Sequence, residues 1–339
     1  MKRLNGLKAR SISCALAVAA AFAVPLSVAK ADDSGSFESA FDKTFGTEPR
    51  APRSYDSPFA ARIASLANAE LGRIGVAAVD LTSGRTIDVL GNQPFPMAST
   101  SKIAIVATFL EGVDKGRYRL TDKYPLMVPV PSRKFAGPIA PVRPGQKLTA
   151  RSLIELALTR SDNQATDALL AAVGGPAVVN NWVKRAGISD FSIDRDIATL
   201  VRDDGAVDPA TTIERRDSAT PMAMVQLLSG LYEGKWLSDD SQAVLLGAMH
   251  RCITGKRRIP ALLPDDASIA HKTGSLHNTS SDIGIIETPD GHAMAVAIYV
   301  TGQGSRWNRE KRIASIARAI YDGYSLDKKP QGYAHTAAR

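Results

Sequence analysis

Two short apolar runs near the beginning of the chain decide its fold. They are Ile74-Gly75-Val76-Ala77-Ala78-Val79-Asp80-Leu81 and Arg85-Thr86-Ile87-Asp88-Val89-Leu90. The turn-forming residues Thr82-Ser83-Gly84 separate them, so the runs predict two strands joined as a hairpin. An isolated hairpin is at best marginally stable in water, and we therefore expect its partner strands to come from elsewhere in the chain.

Strand signals return only near the other end of the chain. The predicted strands there cover residues 268–275, 281–288 and 293–301, with a turn at Pro289-Asp290-Gly291. Helical patterns lie between the two sets of strands, at residues 100–114, 150–160, 163–173 and 177–186, then from Thr220-Pro221 and from Ser238-Asp239. A closing helix is predicted over roughly residues 309–324. This order predicts an α+β fold, in which a five-stranded antiparallel sheet from the N- and C-terminal segments packs against a mainly helical subdomain.

The first 31 residues have the pattern of a signal peptide. A basic start precedes an apolar run that extends through Val28, and the small residues Ala29 and Ala31 follow. A polar leader (32–57), one folded domain (58–325) and a flexible tail (326–339) are predicted after it. We expect cleavage after export, which leaves a periplasmic or secreted protein without a stable membrane anchor.

Charge and cysteine content restrict the class of function. The formal net charge of +8 falls to +3 without residues 1–31, which hold five basic and no acidic side chains. This mild charge gives no support to nucleic-acid binding. Removal of Cys14 leaves Cys252 as the only cysteine, which excludes an internal disulfide and a multi-cysteine metal site. We expect a monomer that needs no metal or cofactor.

A candidate nucleophile lies in the motif Ser99-Thr100-Ser101-Lys102, where an apolar helix follows the first hairpin. Lys102 comes three residues after Ser99 and therefore shares its helix face. A lysine in a desolvated site has a lowered pKa and can take the proton of a serine. A Ser-x-x-Lys pattern alone occurs about once by chance in a chain of this length. The structural alternative is a helix N-cap at Ser99 with Lys102 in a surface ion pair.

Two further motifs, Ser161-Asp162-Asn163 and Lys272-Thr273-Gly274, follow in that order. Such a trio is typical of class A β-lactamases and penicillin-binding proteins, and the chain resembles this β-lactamase-like family of serine hydrolases over most of residues 60–324. Other stretches that resemble family landmarks are Phe95-Pro96-Met97-Ala98, Gly174-Gly175-Pro176, Arg216-Asp217-Ser218-Ala219-Thr220-Pro221, Thr254-Gly255, Arg258-Ile259 and Leu263-Pro264.

The second motif carries groups for proton transfer and substrate binding. Ser161 is expected to relay a proton to the departing amine, and Asn163 to bind the side-chain amide of the substrate. Asp162 is expected to brace the turn. Helix capping is the alternative interpretation for Ser161 and Asn163.

The third motif carries groups for an anionic substrate. Lys272 and Thr273, on an edge strand, supply a charge and a hydroxyl for the substrate carboxylate. Gly274 allows the substrate backbone to approach closely, and the backbone N–H groups of Ser99 and of the strand near Ser275 can form an oxyanion hole. Arg258 resembles a family arginine that helps to bind the carboxylate; the alternative is an exposed arginine in a basic run.

The chain departs from the family in the omega loop. The resemblance implies a glutamate two residues after an Asp-Arg pair, where it activates the water that cleaves the acyl-enzyme. After Asp194-Arg195 this chain has Ile197 at that position. Arg195 and Asp217 resemble the salt bridge that closes the loop, with 21 residues between them.

Another carboxylate must then act as the hydrolytic base. The loop holds Asp196, Asp203, Asp204, Asp208 and Glu214. Asp196, nearest to Ile197 in sequence, is the preferred candidate as a catalytic residue. The alternative is that all of these carboxylates are solvated loop charges.

Three functions are compatible with these motifs. The first is a class A β-lactamase-like hydrolase, acylated at Ser99 by β-lactams, that hydrolyses the amide bond of the lactam ring. The second is a penicillin-binding D,D-peptidase or transpeptidase that acts on peptidoglycan stem peptides. The third is a β-lactam-binding or sensor module that does not hydrolyse its adduct. The expected partner is thus a small β-lactam or a peptidoglycan peptide.

Overall fold

A computed structural model describes residues 57–131 and 137–326. The predicted signal peptide, all of the predicted leader except its last residue, and the tail beyond Leu326 lie outside these residues. No helix in the described part of the chain is long and apolar enough to cross a membrane.

The central sheet joins the two ends of the chain, as predicted. Its strands are β1 (Ile74–Asp80), β2 (Thr86–Val89), β8 (Ser268–Leu276), β9 (Thr279–Glu287) and β10 (Ala293–Thr301). They are antiparallel in the order β2-β1-β10-β9-β8, with Ala77 opposite Ala297 where the N-terminal hairpin meets the C-terminal strands. The α+β fold with a five-stranded antiparallel sheet is therefore confirmed, and β8 is an edge strand.

Helices fill the middle and both ends of the described chain. They are α1 (Pro58–Leu66), α2 (Lys102–Asp114), α3 (Ala150–Thr159), α4 (Asn163–Val173), α5 (Pro176–Arg185), α6 (Ile197–Arg202), α7 (Pro221–Tyr232), α8 (Asp239–His250) and α9 (Arg306–Leu326). Short 3-10 turns occupy Ala98–Ser101 and Ile259–Leu262. The helix boundaries follow the local signals. Thr149, Asp162, Thr220 and Ser238 each cap a following helix, and Gly174 ends α4 in the left-handed conformation.

The sheet separates two apolar cores. Ala77, Ile283 and Tyr299 face a core shared with the central helices. Val76 and Ile298, one position away, face a core shared with the terminal helices α1 and α9. Strand β10 is buried at every position because both of its faces are covered. Alternate residues of one strand thus hold together the two halves of the molecule.

Some elements were not predicted. Strands β4 (Lys123–Pro129) and β5 (Val142–Thr149) form a separate two-stranded sheet between the predicted helices at 100–114 and 150–160. Their three prolines, which cannot donate to a sheet ladder, hide the strand signal. Helices α1 and α6 were also missed, as was a small sheet of β3 (Phe95–Pro96), β6 (Phe191–Ser192) and β7 (Ser218–Ala219).

Strand β8 packs tightly against the 3-10 turn that carries Ser99. A Cβ atom at Gly274 would lie 2.7 Å from the carbonyl oxygen of Met97 and would also overlap with Ser281 Oγ. The protein itself therefore occupies the space beside Gly274, and glycine is required here for packing between the strand and the turn.

Substitution Gly274→Ala is expected to lower the free energy of unfolding by about 1–3 kcal/mol, because the added methyl group overpacks this contact. Urea unfolding measures the change. Gly247→Ala on α8 is the matched control, since its added Cβ meets only the flexible end of Arg251. Equal stability of Gly274→Ala and the wild type would contradict the packing argument.

Candidate active site

Ser99 lies on a 3-10 turn, Ala98–Ser101, that leads directly into α2. The predicted helix start at residue 100 is thus replaced by a tighter turn, followed by an α-helix from Lys102. Ala98 has a positive φ of 49°, a conformation that side chains other than glycine rarely adopt. Thr100 holds the turn, since its Oγ1 donates to the Met97 carbonyl over 2.7 Å and lies 3.0 Å from the Tyr299 hydroxyl. Ser99 is consequently presented from a fixed, strained backbone.

Lys102 is fully buried one turn after Ser99. Its Nζ donates to the Ser161 carbonyl and to Asn163 Oδ1, both over 2.7 Å. Burial, with the nearby Lys272, holds the pKa of Lys102 well below its usual range. The alternative of a surface ion pair is therefore wrong, and a lowered pKa suits this amine to the role of a base.

Ser161 Oγ lies between two lysines. It is 2.8 Å from Lys272 Nζ and 3.4 Å from Lys102 Nζ. The backbone of Ser161 has a positive φ of 59°, which turns the chain just before α4 begins. Since an ammonium group can only donate hydrogen bonds, a charged lysine leaves the hydroxyl proton of Ser161 free to point elsewhere.

Helix α4 positions the rest of the second motif. Asp162 is its N-cap and accepts a hydrogen bond from the Ala165 N–H over 2.8 Å. This is the bracing role predicted for Asp162. Asn163, the first helical residue, contacts Lys102 through Oδ1 instead of capping the helix.

Strand β8 brings Lys272, Thr273 and Ser275 along one edge of the sheet. Lys272 is completely buried, and burial lowers its pKa to about 8. Thr273 Oγ1 lies 2.6 Å from Thr254 Oγ1. Ser275 is exposed, and its Oγ accepts a hydrogen bond from Arg258 Nη2 over 2.6 Å.

Arg258 is 1% exposed, so the alternative of an exposed arginine is wrong. Its Nη1 donates to the carbonyls of Gly274 and Ser281 over 2.8 and 2.7 Å, and its Nε and Nη2 face Glu310. The guanidinium thus ties β8 to β9 and to α9. Arg258 also contacts the exposed side of β8 through the Ser275 hydroxyl.

The omega loop is closed by the predicted ion pair. Arg195 Nε lies 2.6 Å from Asp217 Oδ2. Asp217 Oδ1 also accepts from the N–H groups of Asp194 and Arg195 over 2.8 and 3.0 Å. Ile197 begins α6 and is 3% exposed, with its side chain in the core beneath the loop.

The predicted loop carboxylates all have local partners. Asp196 caps α6 and accepts from the Thr199 N–H over 2.7 Å. The others contact side chains or backbone groups around the loop: Asp203 and Glu214 at Arg195, Asp204 at the His277 N–H, and Asp208 at Asn278. All five carboxylates are also partly exposed.

Sequence reasoning missed Asp167, a carboxylate beneath the same loop. It is 5% exposed on α4, and its two oxygens accept hydrogen bonds from the N–H groups of Ile197 and Ala198 over 2.7 and 2.9 Å. The available signal was a charged residue among the buried positions Ala165, Thr166, Ala168 and Leu169 of an apolar helix face.

No group of three or more His, Cys, Asp or Glu side chains within residues 57–131 and 137–326 is placed to hold a metal ion. Cys252 is a free thiol. The described side chains around Ser99 therefore offer amines, hydroxyls, an amide and carboxylates as their chemistry.

Comparison with known proteins agrees with this arrangement. The model of the β-lactamase enzyme family matches residues 58–324. The β-lactamase CTX-M-25 of Escherichia coli is 31% identical over 267 residues, which cover 78% of this chain and 88% of that protein. The β-lactamase VEB-1 of Pseudomonas aeruginosa is 28% identical, with 78% of this chain and 89% of that protein covered.

Solved structures show the same relationship. A β-lactamase from Chitinophaga pinensis superposes with a TM-score of 0.69 at 28% identity and covers 79% of this chain and 100% of its own. An ancestral class A β-lactamase gives a TM-score of 0.67 at 32% identity and covers 78% of this chain and 99% of its own. Because the family model matches residues 58–324 and the fold agrees with class A structures, the chain belongs to the β-lactamase enzyme family, as a class A-like serine hydrolase.

Proposed function

We propose that Ser99 is the nucleophile of this hydrolase and that β-lactams acylate it. The observation that carries the proposal is the buried Lys102 amine, which Ser161 and Asn163 hold and which belongs to the residue one turn after Ser99. A desolvated amine with a strongly lowered pKa is the base that a serine nucleophile needs.

In acylation, neutral Lys102 takes the proton of Ser99 while Oγ forms a bond to the lactam carbonyl carbon. The electron pair of the carbonyl moves onto its oxygen, and the N–H groups of Ser99 and Ser275 stabilise this oxyanion. The tetrahedral intermediate collapses, the carbon–nitrogen bond breaks, and Ser161 delivers its proton to the departing nitrogen. Ser161 recovers a proton from the lysines that contact its Oγ.

We assign the β8 edge to the carboxylate of the substrate. Lys272 supplies charge, and Thr273 and Ser275 supply hydroxyl groups. Arg258 supports this edge from behind by holding the Ser275 hydroxyl and the Gly274 carbonyl. Asn163 remains the proposed partner of the substrate's side-chain amide.

Hydrolysis of the acyl-enzyme needs a base other than Ile197. Asp196 stays a candidate, although one of its oxygens serves as the cap of α6. We further propose that the chain is exported after cleavage near Ala31, which its basic start and apolar run support, and that it acts as a monomer without a membrane anchor.

A D,D-peptidase or transpeptidase is the second candidate function. The position of Ile197 favours it, because this apolar side chain is buried in the loop that supplies the hydrolytic glutamate in class A enzymes. A β-lactam-binding module that retains its adduct is favoured by the same observation.

Addition of a penicillin to the purified protein is expected to increase its mass by that of the drug, and the adduct is expected to disappear with release of hydrolysed product. Intact-mass spectrometry over time, with peptide mapping to Ser99, measures both steps. Ser99→Ala, the control, should give no adduct. A folded wild-type protein that never gains mass would contradict acylation altogether.

The fate of the adduct separates the three functions. Loss within minutes with release of product supports the β-lactamase, whereas persistence for hours contradicts it. Cleavage of a D-Ala-D-Ala peptide by the same sample would instead favour the peptidase. A persistent adduct without peptidase activity would support the third function, a β-lactam-binding module.

The concentration of penicillin that half-saturates acylation is expected to rise as the pH increases through about 8. Lys272 has a pKa of about 8, so it is charged below this pH and neutral above it, while the substrate carboxylate stays ionised throughout. Stopped-flow acylation at several substrate concentrations separates this binding effect from the rate at saturation. Lys272→Arg keeps its charge and should bind equally at pH 7 and pH 9; an equal rise in both proteins would exclude Lys272 as the cause.

A further inference from the structure

Asp167 is a buried carboxylate that the acylation mechanism leaves without a task. It lies on α4, one helical turn after Asn163, the residue whose Oδ1 contacts Lys102. Its neighbours on this part of the helix are buried, and Asp167 itself is 5% exposed. Because burial of a carboxylate is costly, a side chain of this kind needs compensating contacts or a function.

The hydrogen bonds of Asp167 run to the backbone of the omega loop. Oδ1 accepts a hydrogen bond from the Ile197 N–H, and Oδ2 accepts one from the Ala198 N–H. Each carboxylate oxygen can accept a second hydrogen bond, so these two bonds do not exhaust the acceptor capacity of the carboxylate. The charged groups that act on Asp167 from the packed elements are Lys102 on α2 and Asp196 in the loop.

This environment gives Asp167 a pKa that suits a general base near neutral pH. Its pKa is raised to about 6, chiefly by burial and also by the charge of Asp196, against the opposing effects of the two N–H groups and of Lys102. A carboxylate with a pKa near 6 is ionised at pH 7 and still holds a transferred proton well enough to be useful in catalysis.

We propose that Asp167 is the general base for hydrolysis of the acyl-enzyme, supplied by helix α4 in place of a glutamate from the loop. This inference rests on the proposed acylation of Ser99. The carboxylate accepts a hydrogen bond from the Ile197 N–H. Helix α4 therefore supplies an acidic side chain next to the loop position that lacks one.

The reaction uses water alone as the second reactant. Asp167 takes one proton from the water while its oxygen forms a bond to the ester carbon, and the carbonyl electron pair moves onto the oxyanion. On collapse, the bond between this carbon and Ser99 Oγ breaks. Protonated Asp167 then returns the proton to Ser99 Oγ through Lys102, which restores both groups and releases the acid product.

Asp167 differs in one respect from two carboxylates of the loop. Asp203 and Glu214 form ion pairs with arginines, and an adjacent positive charge weakens a carboxylate as a base. Asp167 is held by neutral N–H groups instead. Lys102, the lysine that influences Asp167, itself has a pKa well below its usual range.

The test is Asp167→Asn, with formation and loss of the penicillin adduct measured separately by rapid-quench mass spectrometry. Acylation is expected to remain within about tenfold of the wild type, whereas hydrolysis of the adduct should fall by about 100-fold or more. Asp80→Asn is the matched control. It removes a carboxylate that is likewise buried and accepts hydrogen bonds from two backbone N–H groups, those of Thr82 and Ser83, in the turn between β1 and β2; its adduct should be lost at the wild-type rate. Asp196→Asn, measured in parallel, tests the rival base.

A purely structural role would not give the expected pH dependence. Hydrolysis by the wild type should decrease as the pH falls through about 6, because protonated Asp167 cannot accept a proton, and Asp167→Asn should lack this step. Asp167→Glu, which keeps the carboxylate, should recover part of the lost rate.

Two results would overturn the inference. One is unchanged hydrolysis of the adduct in Asp167→Asn, and the other is an adduct that is trapped in Asp196→Asn alone. If Asp167→Asn does not fold, the pH profile of the wild type decides, and a flat profile from pH 5 to 7 contradicts the role of Asp167. Absence of any adduct on wild-type Ser99 would instead refute the proposed function itself.

Discussion

Burial of one amine determines how the site is built. Lys102 has no exposed surface, so its nitrogen must find acceptors within the protein, and it finds them in the Ser161 carbonyl and Asn163 Oδ1. Those acceptors exist only because the chain turns sharply at Ser161 before α4 begins. The second motif therefore supplies the hydrogen-bond acceptors for the lysine of the first motif. The two motifs are distant in sequence but meet in space, because the buried nitrogen needs these acceptors.

A second buried lysine extends this constraint to the sheet. Lys272 reaches the same Ser161 hydroxyl from β8, which places two amines on either side of one oxygen. Mutual repulsion and burial both weaken the affinity of such amines for protons. Two residues fix the position of β8. Gly274 lets the strand lie against the turn of Ser99, and Arg258 binds one carbonyl of β8 and one of β9. The geometry around Ser99 is thus supported from three separate parts of the chain.

Much of this arrangement could be predicted from the sequence, because strong local signals coincide with it. The strands of the sheet are apolar runs bounded by turn residues, and the helices begin at capping residues such as Thr149 and Ser238. Strands β4 and β5 escaped prediction because their prolines suppress a strand signal. The burial of Arg258 also could not be predicted, since its neighbours Lys256 and Arg257 are exposed and its partners lie on distant elements. Asp167 was overlooked for a similar reason: its partners, the N–H groups of Ile197 and Ala198, have no sequence signature.

The pairing of β1 with β10 has a consequence for how the molecule is made. Ile74 lies opposite Val300, so the sheet cannot be completed until almost the entire folded region is available. Contacts between residues so far apart in sequence slow folding, because a long loop must close before they contribute any stability. A chain synthesised from its N-terminus therefore cannot complete either core before the last strands are made. Until then Lys102 and Lys272 are also not both beside Ser161. The reactive serine turn acquires its strand support only when synthesis is nearly finished.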